Sequence, residues 1–239
     1  SISKSGIIAQ TKVIEKARTI ESVRGKSNKN ILIFSAIGLL SSLVISILLR
    51  LFFEKIKSVK ELSEISSIPV LGGIPLFDDF KNILDLKIKS KDKFVEALRS
   101  VRTSMNFLLT NDANSGAFKS FQITSIHPGE GKTFTTLNLA RIFASSGKKV
   151  LVVDFDMHKP KVHKELKIEN KIGNSTNLSN KTTFENSIFE IEQDLFVISS
   201  GPVPPNPSEL VLSSKVNELF EYAKNNFDYM FIDTPPIGY

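Results

Sequence analysis

The apolar positions of this chain divide it before any chemistry is considered. From Ile31 to Leu49 no charged residue occurs, and Leu51, Phe52 and Phe53 continue the run past Arg50. As a helix, residues 31–53 would extend about 35 Å, enough to cross a hydrocarbon core of about 30 Å, with Arg50 reaching back to the interface. Further on, Ser58-Val59-Lys60-Glu61 fits a capping box that opens a short helix, and Pro69 to Phe77 (PVLGGIPLF) predicts an extended, Gly/Pro-punctuated connector. Phe94, Leu98, Val101, Met105 and Leu108 recur at helical spacing over residues 93–109, leaving Glu96, Arg99 and Arg102 on the polar side. Ser120–Ile126 and Lys149–Asp154 are apolar runs of strand length, separated by a glycine-containing loop and a helix from about Lys132 to Ala144. Strand, loop, helix and strand in this order form a right-handed crossover unit of a parallel sheet. Residues 166–193 are rich in Asn, Ser, Thr and Lys with little periodicity, predicting a loop region with one short element near Phe184–Ile191. Leu195–Ser199 and Phe227–Ile232 complete the strands, and Asn206-Pro207-Ser208-Glu209 opens a helix between them with Asn at the N-cap and Pro in the first turn.

Charge sharpens the division. Of the net +6, residues 1–60 hold 11 Lys/Arg against 3 Asp/Glu, while residues 61–239 hold 20 against 22. The basicity therefore belongs to the flanks of the apolar span. The remainder is slightly acidic and has no basic stripe with interleaved aromatics, so no nucleic-acid partner is expected. Cysteine is absent, which excludes disulfides, thiolate metal sites and a thiol nucleophile. Arg24, Lys26 and Lys29 precede the span and Arg50, Lys55, Lys57 and Lys60 follow it, so the positive-inside rule is nearly silent on orientation. The chain begins at Ser1 without an initiator Met and stops six residues past Asp233; a fragment of a longer protein is expected.

Three segments carry the candidate chemistry. The first is His127-Pro128-Gly129-Glu130-Gly131-Lys132-Thr133, where glycines let the backbone approach phosphate oxygens and present N–H groups to them. Lys132 would place a charge at the β- and γ-phosphates, and the Thr133 hydroxyl would be a ligand of Mg²⁺; Pro128 to Phe134 is the expected nucleotide-binding stretch. The generic phosphate-loop pattern wants a glycine five places before Gly131, where this chain has Ile126. Asp154 and Asp156, two residues apart at the end of a strand, would point the same way, one orienting the metal and the other accepting a proton from an incoming hydroxyl. Taken alone, such a pair is more often a solvated turn. Asp233 ends a further apolar run and would position Mg²⁺ from a second strand; a strand-end cap is the alternative. All three segments would meet at one end of one sheet.

These stretches resemble the bacterial tyrosine kinases fused to polysaccharide copolymerases. The likeness rests on Pro128-Gly129-Glu130-Gly131-Lys132-Thr133 as Walker A, Asp154-Phe155-Asp156 as Walker A′ and Phe231-Ile232-Asp233-Thr234-Pro235-Pro236 as Walker B. Glu96-x-x-Arg99-x-x-Arg102 is similar to the family's oligomerisation motif, which by itself would be an ordinary solvated helix face. Gly201 to Leu210 and Ser67 to Pro75 behind the span also look like the family. The resemblance implies an α/β fold, a P-loop NTPase-type parallel sheet that would be incomplete at its C-terminus, preceded by one transmembrane helix. It implies an extracytoplasmic segment at 1–30, the end of a chain-length-determinant domain, then the transmembrane helix 31–53, a juxtamembrane linker 54–90 and a partial kinase domain 91–239. It implies ATP and Mg²⁺ as cofactors, Lys132, Asp154 and Asp156 as catalytic residues, and Thr133, Asp154, Asp156 and Asp233 at the metal. It further implies a homo-oligomeric ring, phosphorylation of a tyrosine-rich tail on a neighbouring subunit, a bacterial inner-membrane location with the kinase domain cytoplasmic, and work with the polysaccharide export machinery in capsule or exopolysaccharide assembly.

The chain departs from that family at His158-Lys159-Pro160, where Arg usually follows the Asp-x-Asp; charge is partly kept and the guanidinium fork is lost. Tyr222 and Tyr229 are expected to be packed rather than to act as acceptors. Two further readings stand beside the kinase. One is a positioning ATPase of the MinD/ParA kind, whose extra phosphate-loop lysine would fall at His127. The other is a chain-length regulator whose nucleotide site controls assembly only.

Overall fold

The computed structural model describes residues 24–52, 56, 58–76, 92–110 and 118–238. The chain falls into two units, Ser1–Lys57 and Ser58–Tyr239. In the first, helix α1 (Arg24–Phe52) contains an apolar stretch, Asn28–Phe52, that is long and apolar enough to cross a membrane. Two of its hydroxyls bond within the helix, Ser35 Oγ donating to the Leu32 carbonyl and Ser41 Oγ to the Gly38 carbonyl, both at 2.9 Å. That is the arrangement required where neither water nor a partner helix supplies an acceptor. The expected segment 1–30 lies mostly outside the described residues, as do Phe53, Lys55, Lys57, Phe77 and most of the linker that follows it.

In the second unit, α2 (Val59–Ile65) starts at Ser58, whose Oγ accepts from the Glu61 N–H at 3.1 Å, as the capping pattern predicts. Residues 69–76 carry no regular secondary structure. They are also more than a connector: Leu71 and Ile74 pack against the buried core, and Gly72 lies against Val101 of α3 (Lys93–Thr110). Phe94, Val95, Leu98, Val101 and Met105 bury one face of α3, as the periodicity predicts, but Leu108 is exposed because the helix runs past the edge of the core there.

The sheet contains β1 (Lys119–Ile123), β2 (Val150–Asp154), β3 (Ile188–Glu192), β4 (Leu195–Ile198) and β5 (Tyr229–Asp233) in the order β1-β5-β2-β4-β3. The first four in that order are mutually parallel and β3 joins β4 antiparallel, so the expected parallel sheet carries one antiparallel edge. β2 is buried at every position because both faces are covered. Val150 and Val152 face the core of α3 and α4 (Lys132–Ala144) with Phe143 and Phe231, while Leu151 and Val153 face Leu219 and Ala223 of α8 (Lys215–Asn226).

Several elements differ from the sequence reading. β1 ends at Ile123 rather than Ile126, since residues 124–131 are already the phosphate loop. The stretch 166–193 is largely structured: α5 (Val162–Leu166) precedes it, and α6 (Asn174–Leu178), a 3-10 turn (Glu185–Ser187) and β3 lie within it. α7 (Pro207–Val211) begins at Asn206 and Pro207 as expected, but the Asn206 amide donates to Glu209 Oε2 at 2.6 Å instead of capping the backbone. Helix α8, which the sequence reading leaves unassigned, covers the second face.

Besides its ladder to β4, an ion pair ties the edge strand to α4. Arg141 of α4, 3% exposed, donates to Glu192 through Nε at 2.9 Å and Nη2 at 2.6 Å. Glu192→Ala would take the carboxylate partner from a buried guanidinium that also meets Asn138, an effect tempered by the solvent that already reaches Glu192. A loss of about 2 kcal/mol is expected, seen as a lower urea midpoint, with Glu192→Gln falling between.

Candidate active site at the carboxyl ends of three strands

The strand register explains how the three motif segments meet. β5 lies between β1 and β2, with Asp233 opposite Ile123 on one side and Asp154 on the other. The loop after β1, the end of β2 and the end of β5 therefore share one edge of the sheet, where ligands bind in parallel α/β folds. Backbone bonds lock the junction: the Phe155 N–H donates to the Asp233 carbonyl at 2.8 Å, and Thr234 Oγ1 to the Ile123 carbonyl at 3.0 Å.

Gly129 and Gly131 adopt positive φ, 89° and 81°, and Gly131 caps the N-terminus of α4. A Cβ built on either would meet no atom within 4 Å, so the positive φ rather than crowding favours glycine at both. Pro128, Lys132, Thr133, Phe134 and Asp156 line that cleft. Phe134 forms part of its floor and packs on Phe94, ring centroids 5.5 Å apart.

Asp233 organises the floor. One carboxylate oxygen accepts from Thr133 Oγ1 at 2.7 Å and the other faces Lys132 Nζ at 3.4 Å. Burial pushes the Asp233 carboxyl above the ordinary carboxylate range, opposed by the Thr133 hydrogen bond and the Lys132 charge. The prospective metal ligand and phosphate-binding lysine are thus already gathered on one carboxylate.

The Asp-x-Asp pair splits in space. Asp154 ends β2 fully buried, while Asp156 lies beyond the strand and forms part of the cleft wall. The chain turns between them because Asp154 Oδ1 accepts from the Asp156 N–H at 2.9 Å, and Asp156 Oδ1 then accepts from the Lys159 N–H at 3.0 Å. Their side chains are therefore not parallel projections of one extended strand. Burial raises the Asp154 carboxyl well above its usual range, and the Asp233 charge adds to this. Asp154 Oδ2 is buried with no hydrogen-bond partner among the described residues, although the Asn174 amide approaches the Asp154 backbone carbonyl at 3.4 Å.

Oxygen donors alone, one of them orphaned, suit a hard divalent cation. No cluster of three or more His, Cys, Asp or Glu among the described residues could hold a metal by itself. A hard cation bound here would need waters or substrate phosphates as further ligands.

Sequence reasoning missed Lys161, Glu165 and Ser125, which line the cleft together with Lys159 and Pro236. The family comparison had pointed to Lys159 only as a departure; Lys161 and Glu165 carry no motif signal. Glu96 and Arg99 pair on α3, whereas Arg102 Nη1 donates to the Ile142 carbonyl of α4 at 3.1 Å, so part of the expected oligomerisation motif is engaged within the chain. Tyr229 stacks on Phe121 and meets Phe143 edge-on at 4.7 Å, and Tyr222 packs against Phe184 and Phe227; both are packed residues, as expected.

A family model described as an AAA domain matches residues 119–238. The chain is 42% identical over 143 residues to the tyrosine-protein kinase YwqD of Bacillus subtilis, covering 59% of each. It is 32% identical over 255 residues to the tyrosine-protein kinase wzc of Salmonella typhimurium, covering 99% of this chain and 35% of that protein. It thus spans about a third of the length of such longer relatives. Among solved structures, the kinase domain of the Escherichia coli tyrosine kinase ETK superposes with a TM-score of 0.65 at 30% identity, covering 77% of this chain and 74% of that one.

Proposed function

Because this chain belongs to the bacterial tyrosine-kinase family of P-loop proteins, we propose that it is the ATP-dependent, membrane-anchored kinase portion of an autophosphorylating protein that regulates capsule or exopolysaccharide polymerisation and export. The observation that carries the reading is the convergence of Lys132 and Thr133 on Asp233 while Asp156 opens to the same cleft.

In this reading the N–H groups of residues 129–133 and the Lys132 ammonium hold the β- and γ-phosphates of ATP. Thr133, Asp233, Asp154 and Asp156 would hold Mg²⁺, which supplies charge neutralisation on the transferring phosphoryl group. Asp156 accepts the proton of the incoming tyrosine hydroxyl. The tyrosine oxygen forms a bond to the γ-phosphorus as the bond to the β-γ bridging oxygen breaks, leaving ADP, phosphotyrosine and one proton on the carboxylate. Asp154, the more deeply buried of the pair, also orients Asp156 by accepting from its backbone N–H.

The finer picture extends the same reading. ATP is cytosolic, which puts the domain after α1 in the cytoplasm, residues 1–30 outside, and Lys55, Lys57 and Lys60 against the anionic inner leaflet of the bacterial inner membrane. The acceptors are tyrosines in the tail of a neighbouring subunit within a ring, with Glu96, Arg99 and Arg102 at the subunit contact, and the partners are polysaccharide export components rather than nucleic acid.

The test is phosphoryl transfer itself. Full-length protein in lipid nanodiscs, given γ-labelled ATP and Mg²⁺, should accumulate phosphotyrosine, and EDTA should stop it. Nucleotide hydrolysis without labelled tyrosine would overturn the kinase reading in favour of a regulator whose nucleotide site governs assembly.

A further inference from the structure

A carboxylate inside a phosphate-binding loop is an anomaly, since it places a negative charge beside an anionic ligand. Glu130 is such a residue, flanked by Gly129 and Gly131 in left-handed conformation. Its side chain turns back across the loop, where a single oxygen, Oε2, accepts from the N–H of Ile126 at 3.0 Å and of His127 at 3.2 Å.

The two amides it engages belong to the place where this loop departs from the generic pattern. Ile126 stands where a glycine is usual, yet its φ is not positive and the residue is 65% exposed, so neither backbone strain nor crowding demands glycine there. The opening turn needs a fixed course instead. Its carbonyl side is held from the segment after β5: the Ile237 N–H donates to the Ser125 carbonyl at 2.9 Å and the Gly238 N–H to the Ile126 carbonyl at 3.0 Å. Ser125 Oγ donates to the His127 carbonyl at 3.0 Å. On the amide side of residues 126 and 127, Glu130 supplies the acceptor.

We propose that Glu130 is a positioning residue for nucleotide binding: its carboxylate clamps the opening turn of the phosphate loop, with Gly238 as the opposing jaw, and does not itself touch the nucleotide. This rests on the nucleotide-site reading above. The design lets one interaction do two things. It fixes the course of residues 125–127 before ligand arrives, lowering the ordering loss on binding, and it holds a repelling charge on the outside of the loop.

Two readouts on the full-length protein test it: amide hydrogen exchange at Ile126 and His127 without nucleotide, and affinity for a fluorescent ADP. In Glu130→Ala both amides should exchange at least about tenfold faster and affinity should fall about tenfold. Glu130→Gln keeps an acceptor oxygen at the same reach and should stay within about threefold of the parent in both. Gly238→Ala would put a Cβ 2.6 Å from the Ile126 carbonyl oxygen, and should weaken affinity from the other side with Glu130 intact. Unchanged exchange and affinity in Glu130→Ala would overturn the proposal, as would Glu130→Gln behaving like Glu130→Ala. Faster exchange in Glu130→Ala, in a protein whose parent binds no nucleotide, would leave the clamp standing and remove the nucleotide-site reading instead.

Discussion

Replacing Asp156 by asparagine is expected to lower the rate of phosphotyrosine formation by about 10²–10⁴-fold, the usual contribution of a positioned general base, with a smaller loss of Mg²⁺-nucleotide affinity because the amide keeps an oxygen for the metal but not the charge. Asp156 lies in the cleft wall, where a hydroxyl can reach it, and its Oδ1 already accepts the Lys159 N–H, so the neutral amide can keep the fold of the turn. Asparagine retains that acceptor but cannot take up a proton. Lys132→Ala should fail differently. Lys132 is nearly buried and faces Asp233 at 3.4 Å, so its removal takes a cation from the phosphate site and leaves the Asp233 carboxylate less compensated. A fall in nucleotide affinity together with a rate loss of about 10³-fold is expected. Single-turnover rates and nucleotide titrations on both variants separate the two effects. Undiminished labelling in either would remove that residue from its assigned role.

The three motif segments were legible because each sits where an apolar strand ends, a place that sequence marks clearly. Their mutual geometry was not. Nothing along the chain says that β5 inserts between β1 and β2, and only that insertion sets Asp233 opposite Asp154 and beneath Thr133. The long polar stretch was misjudged for a physical reason. Its order comes from side-chain to backbone bonds, such as the Asn170 amide bonding both the N–H and the carbonyl of Gly201 at 2.8 Å, and from the Asn174 N–H donating to the Ser199 carbonyl. Such bonds have no hydrophobic period. Gly173 reflects the same crowding, since a Cβ there would lie 2.3 Å from the Ser199 carbonyl oxygen. Helix α8 is another matter: Val216, Leu219, Phe220 and Ala223 repeat at helical spacing, so its signal was present in the sequence. Arg102 shows the limit of motif reasoning, because only the packing of α3 on α4 brings its guanidinium to the Ile142 carbonyl.

The second large effect runs against the usual sense of mutation. Asp154→Asn should stabilise the nucleotide-free protein at neutral pH while impairing phosphoryl transfer. Asp154 is fully buried, one oxygen has no hydrogen-bond partner among the described residues, and Asp233 lies opposite it on the next strand. Burial first, and the Asp233 charge second, raise its carboxyl well above 3.8, and burial raises Asp233 as well. An acid whose pKa is higher folded than unfolded binds more protons in the native state, so stability falls as pH climbs from near the unfolded value through the raised folded value. Above that window the native state holds an unfavourable charge that the unfolded chain does not. Asparagine keeps the acceptor for the Asp156 N–H and removes the charge, so a gain of about 0.5–2 kcal/mol is expected, the range common where a functional group is held at the expense of stability. Melting temperatures measured from pH 4 to 8 without nucleotide should decline more steeply for the parent than for the variant. Mg²⁺ with ADP should raise the parent's Tm more than the variant's, because a bound cation turns the same buried carboxylate from a liability into a ligand. A variant that melts lower than the parent at pH 7 would show that the Asp154 charge is already compensated within the fold.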